Sequence, residues 1–181
     1  MVIVFLANGF EEIEALATVD ILRRAGLSVQ TVGIGGRHVT GAHGIAVEAD
    51  LDDSDALPSV EEWQAVVLPG GLPGTTNLAD STLVKETVLT AEEHNVLLCA
   101  ICAAPSVFGK WGLLRGKRAT CYPGYEETLD GAVVTSDSVA YDEKRITAKG
   151  AGVTVAFALR IVEELVSSEK AKELGDAMQC R

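Results

Sequence analysis

Two cysteines three positions apart, in the stretch "VLLCAICAAPSVFG" (residues 96–109), are the first candidates for chemistry. The spacing is that of a redox dithiol or half a zinc site, but it also arises when a reactive cysteine follows a buried one. In the strand that the apolar run predicts, Cys99 and Cys102 lie roughly 10 Å apart on opposite faces, whereas a disulfide requires Cα atoms about 4.4–6.8 Å apart. No second ligand pair has zinc spacing. We expect neither a dithiol nor a metal site, and Cys99 in the core.

Cys102 lies where the predicted strand meets a helix, with Ala100 two positions before it and Ala104 two positions after it. This is the spacing of the nucleophile elbow, G-x-S-x-G, in which small flanking residues permit a sharp, strained turn. Pro105 suits an early helical position, because a backbone N–H there would have no hydrogen-bond partner within the helix and proline lacks that N–H. A thiol at a helix N-terminus is expected to have a lowered pKa. Cys102 is therefore the candidate nucleophile.

A nucleophilic thiol needs an oxyanion site and a proton partner. The segment "LPGGLPG" offers backbone N–H groups at Gly70 and Gly71, and the N–H of Ala103 follows the nucleophile directly. In "FEEIE", the first two glutamates are expected to be solvated at a helix start, whereas Glu14 lies on a mostly uncharged helical face. Burial near a thiolate raises the pKa of a carboxyl, so Glu14 is the candidate proton carrier.

The elements that must position these residues alternate between strand and helix. The runs "VIVFLA", "LSVQTVGI", "AVVLPGG" and "VLLCAI" are predominantly apolar. Helical patterns follow the first, third and fourth runs, over residues 11–26, 81–95 and 104–112. Residues 35–51 predict a loop and small hairpin, residues 118–148 short strands, and residues 153–178 a closing helix. This order predicts an α/β protein with a parallel sheet covered on both faces, which binds ligands at the carboxyl ends of its strands. The motifs "ANGFEEIE", "LPGGLPG" and "AICAAP" all fall at such ends.

Composition narrows the class of protein. The 181 residues are enough for a single domain, residues 1–181, and a formal net charge of −11 argues against nucleic acid and anionic membranes as partners. No stretch approaches the ~20 apolar residues of a membrane helix, and acidic residues directly follow the first apolar run, unlike in a signal peptide. Four scattered cysteines are typical of reduced thiols, so we expect a cytoplasmic protein.

Taken together, "NGFEEIEA", "DILRRAG", "VVLPGG", "AICAAP", "CYP" and "ITAKGAG" resemble the ThiJ/PfpI superfamily, in the branch of the parkinsonism-associated protein deglycase. The resemblance covers the whole chain. It implies a flavodoxin-like three-layer sandwich, a homodimer, and a reactive Cys102 hydrogen-bonded to a protonated Glu14. It also implies an oxyanion pocket formed by the N–H groups of Gly71 and Ala103, with neither a metal nor an organic cofactor.

The sequence departs from the family pattern at two positions. Ala103 follows the cysteine where protease-like members have histidine, and Tyr122 precedes the proline of "CYP" where many members of the branch have histidine. No Cys–His pair is visible, which argues against a peptidase. The resemblance suggests further pocket residues: Arg24, or else a helix C-cap at that position; His43, near a family arginine; and Gly150, in a turn with Thr147 and Gly152. Cys121 is interpreted as a buried bystander, with a resolving role as the alternative, and Cys180 as exposed.

Two functions follow from the resemblance. The first is a glyoxalase or deglycase, in which Cys102 attacks a reactive dicarbonyl or glycation adduct and Glu14 shuttles protons, with hydro-lyase or hydrolase chemistry. The alternative is an oxidative-stress redox sensor, in which Cys102 oxidises to a sulfinic acid with little turnover, or a chaperone-like protein.

Overall fold

Strands and helices alternate along residues 1–180, which the computed structural model describes. The strands are β1 (Val2–Ala7), β2 (Val29–Ile34), β3 (His38–Thr40), β4 (Ala46–Glu48), β5 (Leu51–Asp52), β6 (Ala65–Leu68), β7 (Leu97–Ile101), β8 (Arg118–Ala119), β9 (Val133–Val134), β10 (Val139–Asp142) and β11 (Arg145–Ala148). The helices are α1 (Thr18–Arg24), α2 (Gly74–Asp80), α3 (Thr82–Glu93), α4 (Pro105–Lys110), α5 (Thr154–Leu165) and α6 (Ser168–Ala177). A π-helical turn, Ile13–Ala17, precedes α1, and short 3-10 turns span Val60–Glu62, Glu126–Thr128 and Ala151–Val153.

The central sheet has seven strands in the order β10-β11-β7-β6-β1-β2-β5. Its strands β2, β1, β6, β7 and β11 are all parallel, and in chain order they form the 2-1-3-4-5 arrangement of flavodoxin-like folds. Only β10 pairs antiparallel within this sheet, at its edge. The parallel sheet predicted from the apolar runs is confirmed, as is the hairpin, which β3 and β4 form.

Both faces of the sheet are buried because its central strands are apolar at every position. In β1, alternate residues from Val2 face one core, which α1 and α5 cover, while alternate residues from Ile3 face a second core, which α2, α3 and α4 cover. All the residues of β1, β6 and β7 are buried. This three-layer arrangement brings the carboxyl ends of β1, β6, β7 and β11 to one edge of the sheet, where the predicted motifs begin.

Two helical segments differ from the sequence-based prediction. The closing helix is broken at Val166 and Ser167, because the Ser167 side chain accepts a hydrogen bond from the Lys170 N–H at 3.1 Å and so caps a separate α6. Residues 74–80, to which the sequence analysis assigned no element, form the short helix α2. Within residues 1–180 no helix has both the length and the apolarity to cross a membrane, and the cytoplasmic location stays a prediction.

Candidate active site

Cys102 occupies a strained turn between β7 and α4. Its φ is +66°, in the left-handed region that side chains other than glycine rarely adopt. Two hydrogen bonds at 2.8 Å hold this conformation: the Cys102 N–H donates to the Ala148 carbonyl at the end of β11, and the Cys102 carbonyl accepts from the Tyr122 N–H. The flanking Ala100 and Ala104 are fully buried, where larger side chains would crowd the turn. Backbone strain of this kind is concentrated at functional sites, and its presence here matches the predicted elbow.

Glu14 projects from the π-helical turn into the space beneath Cys102, and only 1% of it is exposed. Its Oε2 accepts a hydrogen bond from the Gly70 N–H at 2.9 Å, whereas its Oε1 has no partner of normal geometry in the described part of the chain. Glycine is required at position 70, because a Cβ there would lie 2.6 Å from both the Cys102 Cβ and the Glu14 Oε2. A π-turn, which redirects a side chain within a helix, is common at functional sites.

The thiol and the carboxyl titrate as a pair. Burial raises the pKa of Glu14 to about 7, which confirms the predicted direction. Burial, followed by the negative charge of an ionised Glu14, raises the pKa of Cys102 to about 12. The expectation of a lowered thiol pKa is wrong for this state, because burial and charge outweigh the nearby N–H groups and the six-residue helix α4. An ionised Glu14 therefore disfavours the Cys102 thiolate, and a proton on Glu14 favours it.

Two backbone N–H groups, those of Ala103 and Gly71, are directed at the Cys102 sulfur and lower its pKa. These are the two groups expected to form an oxyanion site. Above the sulfur lies a cleft of about 220 Å³, whose wall is completed by Leu72, Tyr122 and Tyr125. The arrangement brings a thiol, a carboxyl with a raised pKa and two converging N–H donors around one point, which suits addition to a carbonyl carbon.

The structure separates the remaining candidates into two groups. Gly150 borders the site, since a Cβ there would lie 3.8 Å from both the Cys102 sulfur and the Glu14 Oε1. Thr147 lies behind it in β11, where its hydroxyl accepts from the Thr120 N–H at 2.9 Å. Arg24 does not line the cleft: its side chain is more than half exposed and donates to Asp20, one helical turn away, at 2.6 Å.

His43 does not line the cleft either, because it pairs with Glu12. The Glu12 carboxylate accepts hydrogen bonds from the His43 N–H at 2.7 Å and from the Ile45 N–H at 3.4 Å, and it lies 2.8 Å from the His43 ring. Only 5% of Glu12 is exposed, so its interpretation as a solvated residue was wrong. Glu11 does cap the helix, since its Oε2 accepts from the Glu14 N–H at 2.7 Å.

Among residues 1–180, one cluster could hold a metal ion. It consists of Glu11, Glu12 and His43, with one ligand atom from each within 4.8 Å of the others. The sequence analysis missed this cluster. Its only signal was a pair of glutamates at a helix start followed by a histidine in a glycine-rich hairpin, and neither feature indicates that the two segments meet. The hydrogen bonds that anchor the hairpin already engage the Glu12 carboxylate.

The other cysteines have no contact with this chemistry. Cys99 is fully buried, and burial raises its pKa well above the usual range. Cys121 is 3% exposed and packs in the core on the opposite face of the sheet from the core that Cys102 borders, which argues against a resolving role. Cys180 is exposed. All four thiols are free.

The fold and the site together define a class: α/β proteins with a cysteine elbow at the carboxyl edge of a flavodoxin-like sheet. The sequence model of the DJ-1/PfpI family matches residues 1–164, and the chain belongs to that family. Protein DJ-1 homolog B of Arabidopsis thaliana is 38% identical over 99% of this chain, which spans only 41% of that protein's length. The glutathione-independent glyoxalase DJR-1.2 of Caenorhabditis elegans is 34% identical over 91% of this chain and 87% of its own length.

Solved structures show the same fold. A mutant of a DJ-1 superfamily protein from Salmonella typhimurium superposes with a TM-score of 0.91 at 34% identity, covering 98% of this chain and 97% of its own. The oxidised DJ-1 of Toxoplasma gondii superposes with a TM-score of 0.92 at 31% identity, with the same coverage of both chains. These matches confirm the flavodoxin-like fold and the family predicted from the sequence motifs.

Proposed function

We propose that this protein is a cysteine-dependent enzyme of the glyoxalase or deglycase type, which acts on reactive dicarbonyls or glycation adducts. The observation that carries the proposal is the strained Cys102, whose sulfur faces the buried Glu14 carboxyl and the N–H groups of Gly71 and Ala103. A pKa of about 7 lets Glu14 both give and take a proton near neutral pH, as a proton shuttle requires. The glyoxalase name of the Caenorhabditis elegans relative agrees with this chemistry.

The reaction with methylglyoxal needs only one water besides the side chains and N–H groups of this site. The Cys102 thiolate attacks the aldehyde carbon, the carbonyl electron pair moves to oxygen, and the N–H groups of Gly71 and Ala103 stabilise the resulting oxyanion. Glu14, which holds a proton while the thiolate attacks, first gives that proton to the oxyanion. As a carboxylate it then removes the proton from the former aldehyde carbon and passes it to the neighbouring carbonyl oxygen, which gives an enediol. Transfer of a proton from the first hydroxyl to the neighbouring carbon leaves a thioester. Water hydrolyses that C–S bond to release lactate and the thiol. The net change is the addition of one water, with no external oxidant and no cofactor.

Lactate production from methylglyoxal tests the proposal. We expect wild type to turn over and the Cys102→Ala and Glu14→Gln variants to lose at least about a hundredfold in rate, as removal of a nucleophile or a general acid–base typically costs. Cys180→Ser, which removes the exposed thiol, is the matched control and should retain the wild-type rate. Equal rates in wild type and all three variants would refute the proposal.

A redox sensor is the second candidate, because the same pair suits oxidation. A protonated Glu14 can donate a hydrogen bond to a sulfinate on Cys102, and partial exposure gives peroxide access to the sulfur. Two equivalents of peroxide would add two oxygens to the thiol and leave as two waters. Mass spectrometry after mild peroxide should then find two added oxygens on Cys102 before Cys180. Earlier oxidation of Cys180 would exclude this role.

We also propose that the protein forms a homodimer through the turn that carries Glu14. Ile13 is 56% exposed and Leu16 is 36% exposed on this turn, and a second copy would remove their apolar surface from water. Light scattering should give twice the monomer mass for wild type and a shift toward the monomer for Ile13→Asp. A wild-type monomer at all concentrations tested would refute the dimer.

A further inference from the structure

The wall and the floor of the Cys102 cleft differ in chemistry. Six residues line it: Gly71, Leu72, Cys102, Ala103, Tyr122 and Tyr125. The polar groups are at the floor, where the sulfur, two N–H groups and the Glu14 carboxyl converge. The wall is a leucine and two aromatic rings. A molecule whose carbonyl carbon meets the sulfur therefore places its substituent against apolar surface.

Backbone hydrogen bonds link the two tyrosines to the turn that carries the sulfur. The Tyr122 N–H donates to the Cys102 carbonyl at 2.8 Å, and the Tyr125 N–H donates to the Tyr122 carbonyl at 3.0 Å. The Tyr122 ring packs on the backbone of Gly150, since a Cβ there would lie 3.3 Å from the ring Cδ2. Tyr122 is nevertheless 50% exposed and Leu72 is 55% exposed. These side chains thus form an open apolar surface at a fixed distance from the nucleophile, and a ligand that covers them removes that surface from water.

Charge and size restrict the ligand further. No lysine, arginine or histidine among residues 1–180 lines the cleft, while Glu14 lies beneath it. Within the single chain, an anionic substituent would therefore meet a carboxyl and no counter-charge. The cleft, with a volume of about 220 Å³, has room for a molecule of small-ring size.

We propose that the cleft selects uncharged carbonyl compounds with an aromatic substituent, so that aryl 2-oxoaldehydes are the preferred substrate class and Tyr122 is the main specificity residue. The turnover part of this inference rests on the proposed function. The binding preference rests on the lining alone. Phenylglyoxal would follow the chemistry given above, taking up one water to form mandelate.

Competing substrates test the preference during turnover. We expect kcat/KM to be highest for phenylglyoxal, lower for methylglyoxal and lowest for the anionic glyoxylate. Tyr122→Ser should reduce the phenylglyoxal-to-methylglyoxal ratio about tenfold, as loss of a ring contact in a specificity pocket typically does. Tyr122→Phe, which keeps the ring, should retain the ratio, and so should Val134→Ser, which changes an exposed apolar residue outside the lining. An unchanged ratio in Tyr122→Ser would overturn the proposal.

Alkylation tests the same preference without turnover. In a Cys180→Ser background, rates of Cys102 modification by N-phenyliodoacetamide, iodoacetamide and iodoacetate are measured by mass spectrometry and divided by the rates for N-acetylcysteine. We expect the phenyl reagent to be favoured and iodoacetate disfavoured, with the phenyl preference reduced in Tyr122→Ser. This pattern in a protein that turns over no substrate would refute the proposed function but support the apolar cleft. Equal normalised rates, or iodoacetate fastest, would overturn the cleft preference whatever the turnover.

Discussion

Replacing Glu14 by glutamine should change how the stability of the protein depends on pH. The ordinary pKa of this carboxyl, 4.5, applies to the unfolded chain, and burial raises it to about 7 in the folded protein. The folded state therefore keeps a proton that the unfolded state releases between these values. Because the folded pKa is the higher one, the stabilisation is fully present below pH 4.5 and is lost as the pH rises through 7.

The magnitude follows from the two pKa values. Their difference, 7 − 4.5 = 2.5, corresponds to ~3.4 kcal/mol at ~1.36 kcal/mol for each pH unit. Most unfolded carboxyls are already ionised at pH 5, so ~2.5 kcal/mol of this is lost between pH 5 and pH 8. The result does not depend on whether Glu14 or Cys102 holds the remaining proton, because linkage counts only the protons bound by the pair.

The assay is guanidinium chloride unfolding, followed by far-ultraviolet circular dichroism at pH values from 5 to 8.5. The wild-type free energy of unfolding minus that of Glu14→Gln should fall by ~2.5 kcal/mol between pH 5 and pH 8 and then level off. Subtraction removes the contributions of other groups, including His43, whose pKa the hydrogen bond to Glu12 raises. Glu127→Gln, which changes an exposed glutamate, should give a flat difference. A flat or rising difference for Glu14→Gln would refute the reasoning about its burial.

Two further predictions concern close packing and a buried ion pair. Gly70→Ala should slow the alkylation of Cys102 by iodoacetamide about tenfold or more, because the new Cβ displaces the thiol, whereas Gly152→Ala, with no atom within 4 Å of its new Cβ, should stay near the wild-type rate. Arg145→Met should lower the free energy of unfolding by ~2 kcal/mol in urea titrations, because it leaves a partly buried carboxylate unpaired. Arg115→Met, which removes an ion pair whose side chains are 70% and 61% exposed, should cost less than ~0.5 kcal/mol, and equal losses in the two arginine variants would contradict this difference.

The position of the candidate site could be predicted from the sequence, because it depends on chain order and on the geometry of a parallel sheet. Parallel strands bring their carboxyl ends to one edge, so the residues after β1, β6 and β7 converge whatever their separation in the chain. The convergence of Cys102 with Gly70 and Gly71 was therefore predicted from strand ends, and Glu14 was proposed from the helical phase of the segment after β1. The elbow needed only the alanines on either side of the cysteine.

Features that depend on distant segments could not be predicted. The burial of Glu12 results from a hairpin that closes over it, with His43 31 residues further along the chain. The raised pKa of Cys102 results from desolvation, which spacing and residue type do not report. The break before α6 has a local cause, the cap by the Ser167 side chain. It was not predicted because several residues near it could also cap a helix.

Consecutive glycines stabilise opposite states of the Cys102–Glu14 pair. The Gly70 N–H donates to the Glu14 Oε2 and so favours the carboxylate with a neutral thiol. The N–H of Gly71, together with that of Ala103, is directed at the Cys102 sulfur and so favours the thiolate with a neutral acid. Because one proton is shared, the balance of these donors sets the fraction of reactive thiolate. The loop after β6 therefore acts on the protonation of Cys102 through both of its glycines, whose adjacent N–H groups reach two different acceptors.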